Sequence, residues 1–252
     1  MKEESKSWQR FEGKIRSLKQ YLQLMDLALT ISNKQCFRQD YNISIALALG
    51  TSTDSHRQLN IPNKKTDIKR TFVSARNQLN EQAFVELQCI FSGYISNVIA
   101  EIAHGSPNKL LGILGNDSTR SINFSDIIKL GSYENVISEM AHRVFRILEN
   151  MRSTKDMIKK LCHITQISIP EDLMSDSLVY IDVRHLIIHR DSCADEVFLK
   201  KDVKKLIPTK DKKNRILLKY SITNKAITTI YAFCRTMDKQ LIEKKVLPIR
   251  KQ

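Results

Sequence analysis

Residues 180–198 read Tyr180-Ile-Asp-Val-Arg184-His185-Leu-Ile-Ile-His189-Arg190-Asp-Ser-Cys-Ala-Asp195-Glu-Val-Phe198. The apolar positions up to Ile188 suit a helix, and the polar run from Arg190 breaks the pattern. A fixed cation and a titratable base thus come together where a helix ends beside a loop. Arg184 and His189 are five apart, so on a regular helix they diverge by about 140°. They meet only if the helix loosens at His189 or if two such helices pair across an interface. His185 and His189 are four apart and share a face.

Upstream, Pro170-Glu-Asp opens this helix, since proline is preorganised for a first helical turn and acids there suit the helix dipole. Before it a long helix is expected over 133–162, breaking near Ser153, with short segments near 110–114 and 124–130. A longer helix is expected over 66–104, its buried stripe supplied by Phe72, Leu79, Phe84, Leu87, Phe91, Ile95, Val98 and Ile102. At ~1.5 Å per residue it makes a rod of about 50–60 Å, typical of a bundle spine. Gly105-Ser-Pro107 stops it. Residues 7–31 form the first helix on Trp8, Phe11, Ile15, Leu18, Leu22, Met25 and Leu29, with Asn33 a candidate end. Residues 40–50 are helix or short strand, and 51–65 a loop. Downstream, 197–207 and 215–220 bracket the Lys-rich turn Pro208-Thr-Lys-Asp-Lys-Lys-Asn and suggest a hairpin or two short strands. A last helix covers 223–246. No internal repeat or low-complexity linker is evident.

The chain has 252 residues, with 41 Lys and Arg against 27 acids, a formal net charge of +14. Such an excess points to a polyanionic partner, nucleic acid before membrane surface; a Lys-rich solvated surface is the bland alternative. Scarce glycine and proline (7 and 5) favour long helices over a turn-rich β-protein. The five cysteines, Cys36, Cys89, Cys162, Cys193 and Cys234, are far apart, so neither a zinc ribbon nor a disulfide framework is indicated. Reduced thiols are the expectation. The charged N-terminus lacks a signal-peptide core, and the longest apolar run, 43–49, is too short to span a bilayer. A soluble cytoplasmic protein without membrane association is expected.

Three readings compete for the focal residues. A metal site needs at least three ligands; His185 and His189 supply two, and Leu186 stands where the zinc-protease pattern has glutamate. No metal is expected. A structural reading makes the histidines a cationic cap at a helix C-terminus. The third reading is acid–base chemistry at phosphate, with arginine holding the anion and histidine moving the proton. His56, His104, His142 and His163 have no neighbours at catalytic spacing and read as surface or core.

Arg184-His185-Leu-Ile-Ile-His189, with the continuation Arg190-Asp-Ser-Cys-Ala-Asp195-Glu-Val-Phe198, resembles the signature of the HEPN superfamily: an arginine, a polar residue, a short apolar spacer and a histidine at a helix end. The resemblance extends over roughly residues 66–246 and is similar to the branch with a small β-hairpin before the last helix. It implies an all-α, HEPN-like up-and-down helical bundle over 66–252, with a β-hairpin insertion and with residues 1–65 as a helical extension packed on the bundle. One place departs. Many relatives carry a glutamate on the long helix where this chain has Gly93-Tyr94-Ile95. Glu86, about two turns earlier, is the candidate substitute; a solvated or helix-paired glutamate is the alternative.

The resemblance further implies a metal-independent endoribonuclease, without cofactor, acting as a homodimer whose two motifs face each other. Arg184, His189 and His185 would be catalytic. RNA supplies the 2′-hydroxyl as nucleophile, and the products are a 2′,3′-cyclic phosphate and a 5′-hydroxyl. Such proteins serve as effectors in prokaryotic defence or toxin–antitoxin systems, with an antitoxin or other defence protein as partner. A non-catalytic HEPN-like module that binds RNA or a partner protein is the alternative; a basic helical adaptor is another. Lys200, Lys201, Lys204, Lys205 and Arg190 follow or adjoin the motif. They are candidates for RNA phosphate contact, or else belong to a solvated hairpin whose lysines deter edge pairing. No RRM-type aromatic signature is present.

Overall fold

The computed structural model describes residues 4–36, 65–110, 122–200, 207–210 and 214–249. The described chain is mostly helical, in keeping with the all-α class. Its elements are α1 (Lys6–Cys36), α2 (Lys65–Gly105), a 3-10 turn (Pro107–Leu110), α3 (Phe124–Leu130), α4 (Tyr133–Glu149), α5 (Thr154–Thr165), α6 (Glu171–His189) and α7 (Glu196–Leu199). Two short antiparallel strands, β1 (Thr209–Lys210) and β2 (Arg215–Ile216), precede α8 (Tyr220–Glu243). The stretches 40–50 and 51–64 lie outside the described residues.

Local chemistry explains most boundaries. Ser5 starts α1: its hydroxyl accepts the Trp8 amide at 3.0 Å. Asn33 does not end that helix, which continues to Cys36. Pro107 leaves α2 only a 3-10 turn to continue into. The expected helix over 133–162 is two helices. Ser153 takes extended backbone and accepts the Asp156 amide, so it caps α5 and forces the break. Gly131, at φ 72°, closes α3 in the left-handed conformation that glycine adopts without strain. Pro170 stands one position earlier than expected: its carbonyl accepts the Met174 amide at 2.9 Å, so it is the residue before the first helical turn.

Among the described residues of the hairpin, Thr209 pairs with Ile216 and Lys210 with Arg215; residues 201–206 and 211–213 lie outside the described residues. Cys193 bridges to the other side of Arg215, so β2 is flanked twice. Glu196–Leu199, which takes in the first residues of the segment 197–207 expected in a hairpin or short strand, is helical because Asp195 accepts the Phe198 amide at 2.8 Å and caps α7.

The contacts of the chain divide it into two units. The first comprises Met1–Ile15, Leu87–Val183 and Ala226–Gln252. Its core includes Trp8, Phe91, Ile95, Val98, Ile102, Val144, Leu161, Val183, Ile230, Phe233 and Met237, all essentially inaccessible. Each such side chain contributes about 1.5–3 kcal/mol on burial, well above any helix propensity difference. Trp8 packs edge-on to Tyr231, ring centroids 4.9 Å apart, and Arg235 lies 4.8 Å over its ring. The Ser5 hydroxyl also donates to Asp238, and the Tyr94 hydroxyl donates to the Cys234 carbonyl at 3.1 Å. Burial pushes the Asp238 carboxyl and the Cys234 thiol up from their ordinary values.

One stretch of α2, Lys69–Gly105, is long and apolar enough to cross a membrane by length and composition. Ile90, Phe91, Ile95, Val98, Ile99 and Ile102 on this helix are buried core residues of the first unit.

The second unit comprises Arg16–Glu86 and Arg184–Lys225. Within it α2 is the hub. Arg76 reaches Asp26 of α1 at 3.5 Å. Asn80, buried, accepts from Thr223 of α8 at 2.7 Å. Leu18, Leu22, Leu79, Phe84, Leu186, Phe198, Ile216 and Leu218 are its buried apolar residues.

Candidate functional site

The focal residues all belong to the second unit and sit at the C-terminal end of α6. The Arg190 amide bonds to the Leu186 carbonyl at 3.0 Å, which keeps α-geometry through His189. The helix therefore does not loosen at His189. Within one chain Arg184 and His189 stay about 140° apart around the axis.

His185 and His189 are both exposed, and their rings lie side by side, centroids 4.8 Å apart at 43°. Ile188, 46% exposed, shares this outward surface. Arg184 is half-buried, and its Nε is inaccessible with no hydrogen-bond partner among the described residues. An orphaned guanidinium nitrogen is costly and calls for an explanation.

Beyond His189 the chain leaves the helix through Asp191 and Ser192, both left-handed at φ 48° and 59°. Two successive non-glycine residues there are held against their steric preference. The hold is visible. The buried Ser192 hydroxyl donates to Glu81 Oε1 at 2.7 Å, its amide bonds to the Leu186 carbonyl, and its carbonyl accepts the Ile216 amide at 2.8 Å. Asp191 pairs with Arg215 at 3.3 Å. Arg190, exposed, lies 3.9 Å from Asp195.

Glu81 is the acid that sequence reasoning missed. Glu86 is exposed. Gly93 borders open space, and Tyr94 and Ile95 are buried in the first unit. The available signal was helical spacing: Glu81 stands about one turn and a half before Glu86 on α2. Nothing in the sequence says which of the two meets the loop.

Lys200 is exposed just past α7. Lys201, Lys204 and Lys205 lie outside the described residues. Among the described residues no group of three His, Cys, Asp or Glu gathers as metal ligands would. His104 pairs with Glu134 at 3.5 Å, away from the motif in sequence and within the first unit; His142 and His163 are exposed.

A cavity of about 340 Å³ opens within the second unit beside the motif loop, between one face of α2 and the segment 215–218. No family model, curated protein or solved structure matches the chain.

Proposed function

We propose that the chain is a HEPN-like, metal-independent endoribonuclease that works as a homodimer. The observation that carries the reading is the exposed His185–His189 pair beside Arg184 at an intact helix end. One helix end cannot bring Arg184 and His189 to the same phosphate, because they face apart. Two copies meeting through the His185, Ile188 and His189 surface can, and Ile188 gives that surface an apolar centre of the kind interfaces bury.

At such a composite site a neutral imidazole takes the proton of the RNA 2′-hydroxyl. The 2′-oxygen bonds to phosphorus, the bond to the 5′-oxygen breaks, and a protonated imidazole gives its proton to the departing oxygen. The products are a 2′,3′-cyclic phosphate and a 5′-hydroxyl. Histidine suits both transfers because its unperturbed pKa is about 6.5. Arg184 meets the charge that grows on the phosphoryl oxygens. Glu81 acts through Ser192 to hold the loop that ends the motif. The net charge of +14 suits an RNA ligand, with Arg190, Lys200, Lys201, Lys204 and Lys205 as phosphate contacts. On this reading the chain is the RNA-cleaving arm of a prokaryotic defence or toxin–antitoxin system, in the cytoplasm, with an antitoxin or other defence protein as a further partner.

The test is RNA incubated with the purified chain in EDTA. Cyclic-phosphate ends, lost in Arg184→Ala and in His189→Ala, support the enzyme. Intact RNA retained in a salt-sensitive way supports a non-catalytic RNA-binding module instead.

A further inference from the structure

The cavity beside the motif loop has the size and the chemistry of a subsite. At about 340 Å³ it lies at the small end of ligand pockets and suits a single base with its sugar rather than a longer ligand. Asn77, Gln78 and Glu81 of α2 line one side; Asp191, Ser192 and Arg215 line the other. Glu81 engages Ser192 through Oε1, and its second carboxylate oxygen has no hydrogen-bond partner among the described residues. Arg215 engages Asp191 through Nη2 alone. The cavity therefore offers a carboxylate acceptor, guanidinium donors and two side-chain amides at one place, within three residues of His189.

The same face of α2 continues away from the motif. A second, open groove shares Val73, Ser74 and Asn77 with the cavity and ends at Lys69 and Arg70. From Glu81 to Arg70 the helix rises about 16 Å, a span of two to three nucleotides. A polar pocket followed by two cations along one helix face fits a single strand, base first and phosphate next.

We propose that this cavity binds a guanine base next to the cleaved bond, with a phosphate about two to three nucleotides along the strand on Lys69 and Arg70. Guanine presents two adjacent donors, N1–H and N2–H, to a carboxylate, and acceptors O6 and N7 to a guanidinium. Adenine and cytosine lack the adjacent donor pair, and uracil has one ring donor only. The place of the base beside a scissile phosphate rests on the ribonuclease reading; the binding of the base does not.

The experiment is titration of the full chain with each of the four ribonucleoside 5′-monophosphates, followed by NMR or calorimetry, so that no cleavage is needed. Guanosine monophosphate binds saturably and about ten-fold or more tighter than the pyrimidine nucleotides, as one bidentate pair provides. The exposed-helix substitutions Asn77→Ala and Gln78→Ala weaken it and leave thermal unfolding unchanged. Lys69→Ala with Arg70→Ala weakens binding of a short RNA and flattens its salt dependence, without altering base preference. Absence of saturable nucleotide binding, equal affinity for all four, or insensitivity to Asn77→Ala and Gln78→Ala overturns the proposal. Guanosine binding without any RNA cleavage removes the ribonuclease reading and keeps the base site; cleavage with no guanine preference beside the cut does the reverse.

Discussion

The Ser192 hydroxyl donates to Glu81 Oε1 at 2.7 Å, joining the first loop residues after the Arg–His helix to the long helix α2, 111 positions earlier in the chain. Ser192 is left-handed and buried, so its backbone conformation depends on this anchor and on its pairing with Leu186 and Ile216.

Ser192→Ala therefore leaves a carboxylate without its donor and a left-handed residue with one restraint fewer. The expected cost is about 1–2 kcal/mol, read by urea denaturation. Glu81→Gln, which can still accept from Ser192, costs less than Ser192→Ala. RNA cleavage falls in both Ser192→Ala and Glu81→Ala while His189 itself is intact. A cleavage rate unchanged in both variants would remove Glu81 from any positioning role.

The composite site makes a sharper demand. His189→Ala lowers cleavage about 10²–10⁴-fold, the usual contribution of a positioned proton-transfer group, and Arg184→Ala lowers it about 10²–10³-fold through lost stabilisation of the phosphoryl charge. Mixed together and allowed to exchange subunits, the two inactive variants regain activity, because a heterodimer holds one site with both residues intact. If each site drew Arg184 and His189 from a single chain, mixing would restore nothing.

Ile188 lies on the same outward surface. Ile188→Asp weakens self-association at constant helix content, measured by sedimentation, and cleavage falls with the dimer fraction. Being 46% exposed in the single chain, Ile188 has little to lose from folding. A monomer-like wild type or an Asp variant that dimerises normally counts against pairing through α6.

In the first unit, Asp238 gives a pH signature. Burial raises its carboxyl above the ordinary aspartate range, with Ser5 and Arg235 opposing the shift. The folded chain thus binds that proton more tightly than the unfolded chain. Stability from this group is full below the unfolded value and is lost as pH rises through the folded value, with a slope approaching about 1.4 kcal/mol per pH unit. Asp238→Asn removes this component from the stability–pH curve. Trp8, the single tryptophan, is fully buried in this unit, so its emission follows the transition directly. Parallel curves for wild type and variant would show that Asp238 does not titrate on unfolding.

Ser5→Ala tests the same cluster from the other side. It removes the cap of α1 and the donor to Asp238 together. A loss of about 1–3 kcal/mol is expected, with the Trp8 transition moving to lower urea. A loss within a few tenths of a kcal/mol would mean that the N-terminal segment is held by its apolar contacts and its other polar anchors, such as Ser7 with Glu101 and Glu4 with Arg235, without Ser5.

Helix positions were legible in the sequence because their causes are local. Apolar period marked α1, α2 and α8; Gly105-Ser-Pro107 punctuated the chain; Ser153 marked a break and Pro170 a start. Where a boundary moved, a single side chain moved it, as when Asp195 capped α7 and turned the first residues of the segment 197–207 into a helix. That His185 and His189 share a face also follows from spacing alone, since residues four apart are neighbours on a helix; that this face is exposed is seen only in the fold.

What the sequence could not decide depends on contacts between residues far apart along the chain. The family resemblance offered Glu86 as a substitute acid, with a solvated glutamate as the alternative; Glu81 is the acid that meets the loop, because helical rotation on α2 is fixed by which side chains its neighbours bury. The sequence by itself determined the helices and the Arg–His order at a helix end. Only the tertiary structure decided that α6 stays regular through His189, so that its two key side chains face apart, and that the loop behind them closes on Glu81. A regular helix or a loosened one is compatible with the same letters; the Leu186–Arg190 hydrogen bond and the anchored loop select the first.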